Sequence, residues 1–285
     1  MTKAVSIPTD NREQDLIYKT VGELAVELSF FPPIRDIYPK APVIFIISGG
    51  GWHFESRANM LGFAQIAVQN LRERGWAAVN IDYRVTTQSP DITIQSEVSD
   101  VMDAARYITN HAEALKIDPT KIVAYGHSAG AHLAMMLAFA PHELFQEDSI
   151  LQNDFEIMGC IPFSGIAMLY PDGKCENPML FDSNYLYKDK IYDREMAYRC
   201  SPYEYISQNA VPALFIHGSK DPLVHPDNSI LSYTKGIECG ANFELILGQN
   251  GGHCLESLVE GEHSYPSFDT AQWIISAWLQ KTFGI

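Results

Sequence analysis

The chain has 285 residues, 46% of them hydrophobic, and a formal charge of −15. That length and apolar content suffice to bury a large core, so one domain spanning 1–285 is expected. The acidity disfavours nucleic acid and anionic membrane surfaces as partners, because binding to phosphates rests on Lys and Arg.

Cys160, Cys175, Cys200, Cys239 and Cys254 are odd in number and form no CxxC pair or zinc-spaced cluster, so they read as free thiols. Residues 1–19 lack the apolar stretch of a signal peptide. No apolar run approaches the ~20 residues of a membrane helix, and a cytoplasmic location is expected.

Residues 16–21 and 23–30 alternate apolar and polar side chains on either side of Gly22, which predicts a hairpin at an antiparallel edge. After Pro32-Pro33, residues 43–47 are a buried-strand pattern, 60–74 a helix, and 77–81 a second buried strand that runs into Asp82-Tyr83-Arg84. Residues 94–115 set Val98, Met102, Ala105, Ile108 and Ala112 on one helical face, with Glu97, Asp100, Asp103 and Asn110 off it. An apolar stretch from Val123 then enters Gly126-His127-Ser128-Ala129-Gly130 and an Ala/Leu/Met-rich helix.

Further strands are predicted at 157–162, 213–217 and 243–247, and helices near 228–236 and 267–282. This alternation argues for an α/β protein whose mostly parallel central sheet carries helices on both faces. The stretch at about 165–202 is too long for a simple connection. It is rich in aromatics (Tyr170, Phe181, Tyr185, Tyr187, Tyr192, Tyr198) and reads as a cap or loop insert, either lining a substrate or packing on itself.

A bare G-x-S-x-G arises by chance about once in 3000 positions. Its setting here, strand before and helix after, makes it a nucleophile elbow, with Ser128 exposed above the sheet at the positive end of the next helix. A serine hydroxyl is a weak nucleophile at neutral pH and needs a base and a group to orient that base. Asp221 lies in HGSKDPLVHP just past a strand end, where such sites collect, whereas Asp227 looks like a helix N-cap. His253, in GQNGGHC directly after the last strand, is preferred to His263 in a polar stretch further on.

His127 is a candidate substrate contact, although it points away from the chemistry if Ser128 points toward it. His132 reads as packed or hydrogen-bonded, and His217 and His225, which flank Asp221, as loop-ordering. The run Ser48-Gly49-Gly50-Gly51-Trp52 lets bare backbone approach a ligand. The N–H groups of Gly50, Gly51 and Ala129 would form an oxyanion hole, with Trp52 as a further donor and candidate substrate contact. A phosphate cradle is disfavoured, since the run continues WHFES without the Lys-Ser/Thr ending of a Walker loop.

Together, SGGGW, IDYR, KIDPTKIVAYGHSAGAHLA and CSPYEYISQNAVPALFIHGSKDPLV resemble the α/β-hydrolase esterase/lipase superfamily, specifically its hormone-sensitive-lipase-like and acetylxylan-esterase-like carboxylesterases. The likeness runs from about residue 24 to the C-terminal helix. It implies an α/β-hydrolase fold, Ser128 as nucleophile, Asp221 and His253 as its partners, and the glycine run as oxyanion hole. Ser48 departs from the pattern, because such families usually begin the run with a His that braces the loop.

The expected function is a serine carboxylesterase acting through an acyl-enzyme on small-molecule, short-chain (acetyl-type) esters, those on carbohydrate included. No metal or organic cofactor is required. An arylformamidase would share the elbow and the glycine–Trp motif. A prolyl-oligopeptidase-type peptidase would need room for a propeller, and a noncatalytic binding module predicts a broken triad, whereas all three positions are filled. A homo-oligomer is compatible with the sequence.

Overall fold

The computed structural model describes residues 13–54, 57, 62–146, 149, 151, 153–170, 187–188 and 191–285. The chain opens with a hairpin, β1 (Gln14–Val21) and β2 (Leu24–Phe31), turned at Gly22. There follow β3 (Ala41–Ile47), α1 (Gln65–Glu73), β4 (Ala77–Ile81), α2 (Ile94–Asn110), α3 (Ala112–Leu115), β5 (Ile117–His127) and α4 (Ala129–Phe139). The second half holds β6 (Gly159–Phe163), a small ribbon of β7 (Tyr187–Lys188) and β8 (Ile191–Tyr192), α5 (Arg194–Arg199), β9 (Ala213–Gly218), α6 (Asp227–Cys239), β10 (Phe243–Gly248) and α7 (Phe268–Phe283).

Eight strands form one sheet in the order β1-β2-β4-β3-β5-β6-β9-β10. The hairpin strands are antiparallel to each other, β2 is antiparallel to β4, and every other neighbouring pair is parallel. The result is an α/β-hydrolase fold with the hairpin at one edge.

Successive side chains on a strand point to opposite faces of the sheet, and both faces here are covered. Val43, Phe45 and Ile47 of β3 join Val79 and Ile81 of β4 in the core that includes Val98 and Met102 of α2 and Leu133 and Met136 of α4. Ile44, Ile46 and Ala78 turn the other way, onto Val68 and Leu71 of α1 and Ile275 and Leu279 of α7. The apolar runs in β3 and β4, broken only by Asn80, are the sequence mark of this double coverage.

The single helix expected over 94–115 is two. The ring Nδ1 of His111 lies 2.7 Å from the Tyr107 carbonyl, which also accepts the His111 N–H, and α2 ends there at Asn110. The helix expected over 60–74 is seen as α1, and residues 58–61 lie outside the described ones. No helix among the described residues is long and apolar enough to cross a membrane. Cys160, Cys200, Cys239 and Cys254 are free, and Cys175 lies outside the described residues.

The acidic side of α2 departs furthest from the sequence pattern. Glu97, Asp100 and Asp103 are buried, although they stand off the apolar face. Cations make the burial of the two aspartates tolerable, two of them from other elements and one from α2 itself. Lys19 of β1 places Nζ 2.8 Å from Asp100 Oδ1 and 2.9 Å from Asp103 Oδ2. Arg84, just past β4, grips Asp100 with Nε and Nη2, both at 2.8 Å, and Arg106 Nη1 meets Asp103 Oδ1 at 2.8 Å.

Breaking a buried ion network from one side is more costly than never having built it, because the remaining charges stay out of water. Lys19→Ala is therefore expected to lower the unfolding free energy by about 3 kcal/mol in a urea titration. A loss below about 1 kcal/mol, the range of exposed pairs, would show that the hairpin does not stabilise α2 through these charges.

Candidate active site

β5 and α4 meet at Ser128, whose backbone sits at φ +57° and ψ −123°. A non-glycine residue there is strained by about 1–2 kcal/mol, and neighbouring strands hold it in place. The Ser128 N–H donates to the Phe163 carbonyl at the end of β6 (2.9 Å). On the other side α4 is seated on the end of β3. A side-chain carbon built on Gly130 would stand 2.2 Å from the Ile47 carbonyl oxygen and 2.5 Å from that of Ser48, so only glycine fits.

The glycine run lies against the elbow, since a side-chain carbon at Gly49 would come within 3.1 Å of Ser128 Cβ. Gly50 takes φ +131°, and its carbonyl accepts the N–H groups of His53 and Phe54 in a tight turn. The N–H groups of Gly50, Gly51 and Ala129 meet no protein acceptor among the described residues. They are the donors that the sequence proposes for an oxyanion.

Three side chains brace this loop. Tyr83 of the IDYR motif donates its hydroxyl to the Ser48 carbonyl (2.9 Å), while the Ser48 hydroxyl is buried without a hydrogen-bond partner. The loop is thus braced at the Ser48 backbone by Tyr83 and not through the Ser48 side chain. The Trp52 indole N–H donates to His132 Nδ1 (3.3 Å), and His132 Nε2 lies 2.7 Å from the Cys200 carbonyl. A carbonyl only accepts, so Nε2 carries the proton and Nδ1 is free to accept from Trp52.

The indole is 1% exposed, which corrects the expectation of a Trp52 side chain that touches substrate: it is spent inside the core. Burial pushes the His132 imidazole down to about 4, against the opposing effect of the Cys200 carbonyl.

Asp221 and His253 are brought together by the last two strands. β9 and β10 pair in register up to Gly218 and Gly248, and the loops beyond stay joined through Ser219 N–H to Gly248 O (2.8 Å) and Lys220 N–H to Gly251 O (2.9 Å). His253 Nδ1 then stands 2.7 Å from Asp221 Oδ2. Asp221 Oδ1 accepts the N–H groups of Leu223 (2.9 Å) and Val224 (3.0 Å). Burial pushes this carboxyl up, but hydrogen bonds from His217 and His253, the charge of His253 and the Val224 N–H outweigh it and hold the group well below the usual carboxylate range.

His127 links the two halves. Its ring stacks on Phe63 at 4.2 Å and lies 4.7 Å from the His253 ring, with Nε2 3.4 Å from the His253 carbonyl. Burial, reinforced by the charge of His253, pushes its imidazole down to about 3.

The other candidates lie elsewhere. Asp227 opens α6 at the surface with His225 3.3 Å away, and His263 is exposed. His217 is buried against Asp221, a closer role than sequence gives it. Of the aromatic insert, Tyr170 stacks on Tyr198 at 3.9 Å and bonds Glu204. Phe181 and Tyr185 lie outside the described residues, and Tyr187 and Tyr192 are described only as paired backbone. Tyr83 and His217 were within reach of sequence reasoning, since both stand at or just past strand ends on the edge of the sheet that carries the elbow.

The model of the BD-FAE family matches residues 31–235. The chain belongs to the BD-FAE family. The match includes Ser128 and Asp221 and ends before His253. The BD-FAE chain is similar to a probable carboxylic ester hydrolase, LipM, of Mycobacterium tuberculosis, 29% identical over 67% of this chain and 44% of the relative. It is also similar to the isoprenylcysteine alpha-carbonyl methylesterase ICME of Arabidopsis thaliana, 28% identical over 74% of this chain and 50% of the relative. The chain thus spans half or less of the length of these curated relatives.

A propionate-bound structure of a thermophilic esterase from Thermogutta terrifontis shares the fold, with a TM-score of 0.77 and 22% identity over 96% of each chain.

Gly130→Ala in the BD-FAE chain is expected to cost about 3 kcal/mol of stability by urea titration, because the added methyl meets backbone that cannot turn aside. Wild-type stability would show the seat of α4 to be loose. A second expectation concerns pH. The folded value of His132, about 4, lies below the ordinary 6.5, so the unfolded chain binds more protons between them. The stability this contributes is complete above about 6.5 and is lost as pH falls toward 4, by at most about 1.4 kcal/mol per pH unit for one histidine. Urea midpoints measured down through this window should fall less in His132→Gln than in wild type, and equal slopes would assign the loss to other groups.

Proposed function

We propose that the protein is a serine carboxylesterase that cleaves short-chain acyl esters through an acyl-enzyme. The observation that carries this reading is the His253 Nδ1–Asp221 Oδ2 pair at 2.7 Å, set beside an elbow whose serine is held at φ +57°. In this reading Ser128 Oγ attacks the ester carbonyl carbon while His253 Nε2 takes its proton. The oxyanion so formed is held by the N–H groups of Gly50, Gly51 and Ala129, which have no competing acceptor among the described residues.

Collapse of the tetrahedral intermediate breaks the bond to the alcohol oxygen, and His253 returns the proton to it. Water then attacks the acyl-enzyme with His253 again as base, releasing the acid and Ser128. Asp221 stays ionised throughout, because its hydrogen bonds hold its carboxyl low, and so it steadies the imidazolium. His127, kept neutral by burial, adds no opposing charge beside it.

The relatives support the ester class by name, as a carboxylic ester hydrolase and a methylesterase. Short acyl groups are supported by the Thermogutta terrifontis esterase, described with propionate and with butyrate bound. An arylformamidase would share both the elbow and the glycine–Trp motif, and substrate preference separates the two readings.

Release assays on p-nitrophenyl acetate, butyrate and octanoate, run beside N-formylkynurenine and acetylated xylo-oligosaccharides, test the proposal. The short esters are expected to give the highest kcat/KM, and Ser128→Ala to lose about a million-fold in kcat. Full activity in Ser128→Ala would sink the nucleophile assignment, and preference for the formamide would move the function to amide hydrolysis.

A further inference from the structure

We infer that His217 is a positioning residue for the triad, fixing the Asp221 carboxylate that orients His253. The inference rests on the esterase reading of the site and adds a fourth member to it.

His217 is fully buried on β9. Its Nε2 lies 2.9 Å from the Val224 carbonyl and 3.2 Å from Asp221 Oδ2, and its Nδ1 lies 2.7 Å from Ser229 Oγ on α6. The Val224 carbonyl can only accept, so Nε2 carries a hydrogen whatever the charge of the ring. The same nitrogen is in close contact with Asp221 Oδ2, the oxygen that meets His253 Nδ1.

Val224 closes a small ring of bonds, since its N–H donates to Asp221 Oδ1 while its carbonyl accepts from His217. The carboxylate is thereby held at both oxygens by groups from its own loop and from β9, and it cannot turn about its Cβ–Cγ bond without losing one of them. Ser229, from the helix behind, keeps the imidazole from rotating. A chain of contacts thus runs from α6 through His217 and Asp221 to His253. The other titratable groups around it are His127 of β5, 4.7 Å from the His253 ring, and Cys254, whose Sγ lies 3.6 Å from His127 Nε2.

Two substitutions separate the roles of the two ring nitrogens. In His217→Gln the amide nitrogen can occupy the place of Nε2 and keep the donor to Val224 and Asp221. In His217→Asn it can occupy the place of Nδ1, which keeps Ser229 but falls short of the carboxylate. With p-nitrophenyl acetate as substrate, His217→Asn is expected to lose about 10- to 100-fold in kcat with KM unchanged, the scale of a misplaced catalytic group. His217→Gln is expected to retain most of the wild-type kcat.

The low-field proton resonance of the His253–Asp221 hydrogen bond supplies a readout that needs no turnover. It is expected in wild type and His217→Gln, and lost to exchange in His217→Asn. A wild-type protein that shows this pattern but cleaves no ester would end the esterase reading and leave the positioning role standing. Wild-type kcat and resonance in His217→Asn, or a His217→Gln as impaired as His217→Asn, would overturn the inference. Should His217→Asn fail to fold, Ser229→Ala is the remaining arm. A several-fold fall in kcat at constant KM supports the chain of contacts, and an unchanged kcat overturns it.

Discussion

The seat of α4 on the end of β3 is the contact on which the rest of the site depends. Gly130 meets the Ile47 and Ser48 carbonyls so closely that not even a methyl group fits between them. β3 and β5 are paired up to Ile47 and Gly126, so the glycine run and the elbow leave the sheet side by side. Ser128 and the glycine run are therefore set side by side by the backbone, and side chains only brace the loop from behind. The separation of elbow and loop is set by strand spacing, which side-chain motion does not alter.

The structure stores strain at this point and disperses its support. Ser128 and Trp52 both hold positive φ without being glycine. Ser128 is tied to β6, and Trp52 to α4 through His132, one helical turn beyond the nucleophile. The helix that presents the serine thus also anchors the loop opposite it. Asp221 and His253 stand on the far side, on two loops that continue the pairing of β9 and β10 past the end of the sheet.

Much of this was legible in the sequence, for a physical reason. Parallel strands covered on both faces leave apolar runs, uninterrupted over residues 43–47 and broken only by Asn80 over 77–81, and both were found by that mark. Ser128, Asp221 and His253 each sit just past such a run, beside glycines that a sharp turn requires. What the sequence could not show depends on partners distant along the chain. Asp100 and Asp103 look like a solvated helix face until Lys19 arrives from the hairpin. The indole of Trp52 reads as a candidate substrate contact until His132 claims it. Ser48 was recognisable as an odd residue, but only the packed structure shows Tyr83 taking its carbonyl.

The hairpin carries none of the proposed chemistry, yet it bears on where the protein can be cut. The matched family region begins at residue 31, at the last residue of β2, and stops at 235, inside α6. A fragment trimmed to those limits would retain the elbow and lose Lys19 at one end and His253 at the other. Two buried aspartates would be stripped of a shared cation, and Asp221 of the imidazole it orients. The stretch that marks kinship is thus smaller than the stretch that must be kept together, and the surplus is tied to residues inside the match by an ion pair at one end and a hydrogen bond at the other.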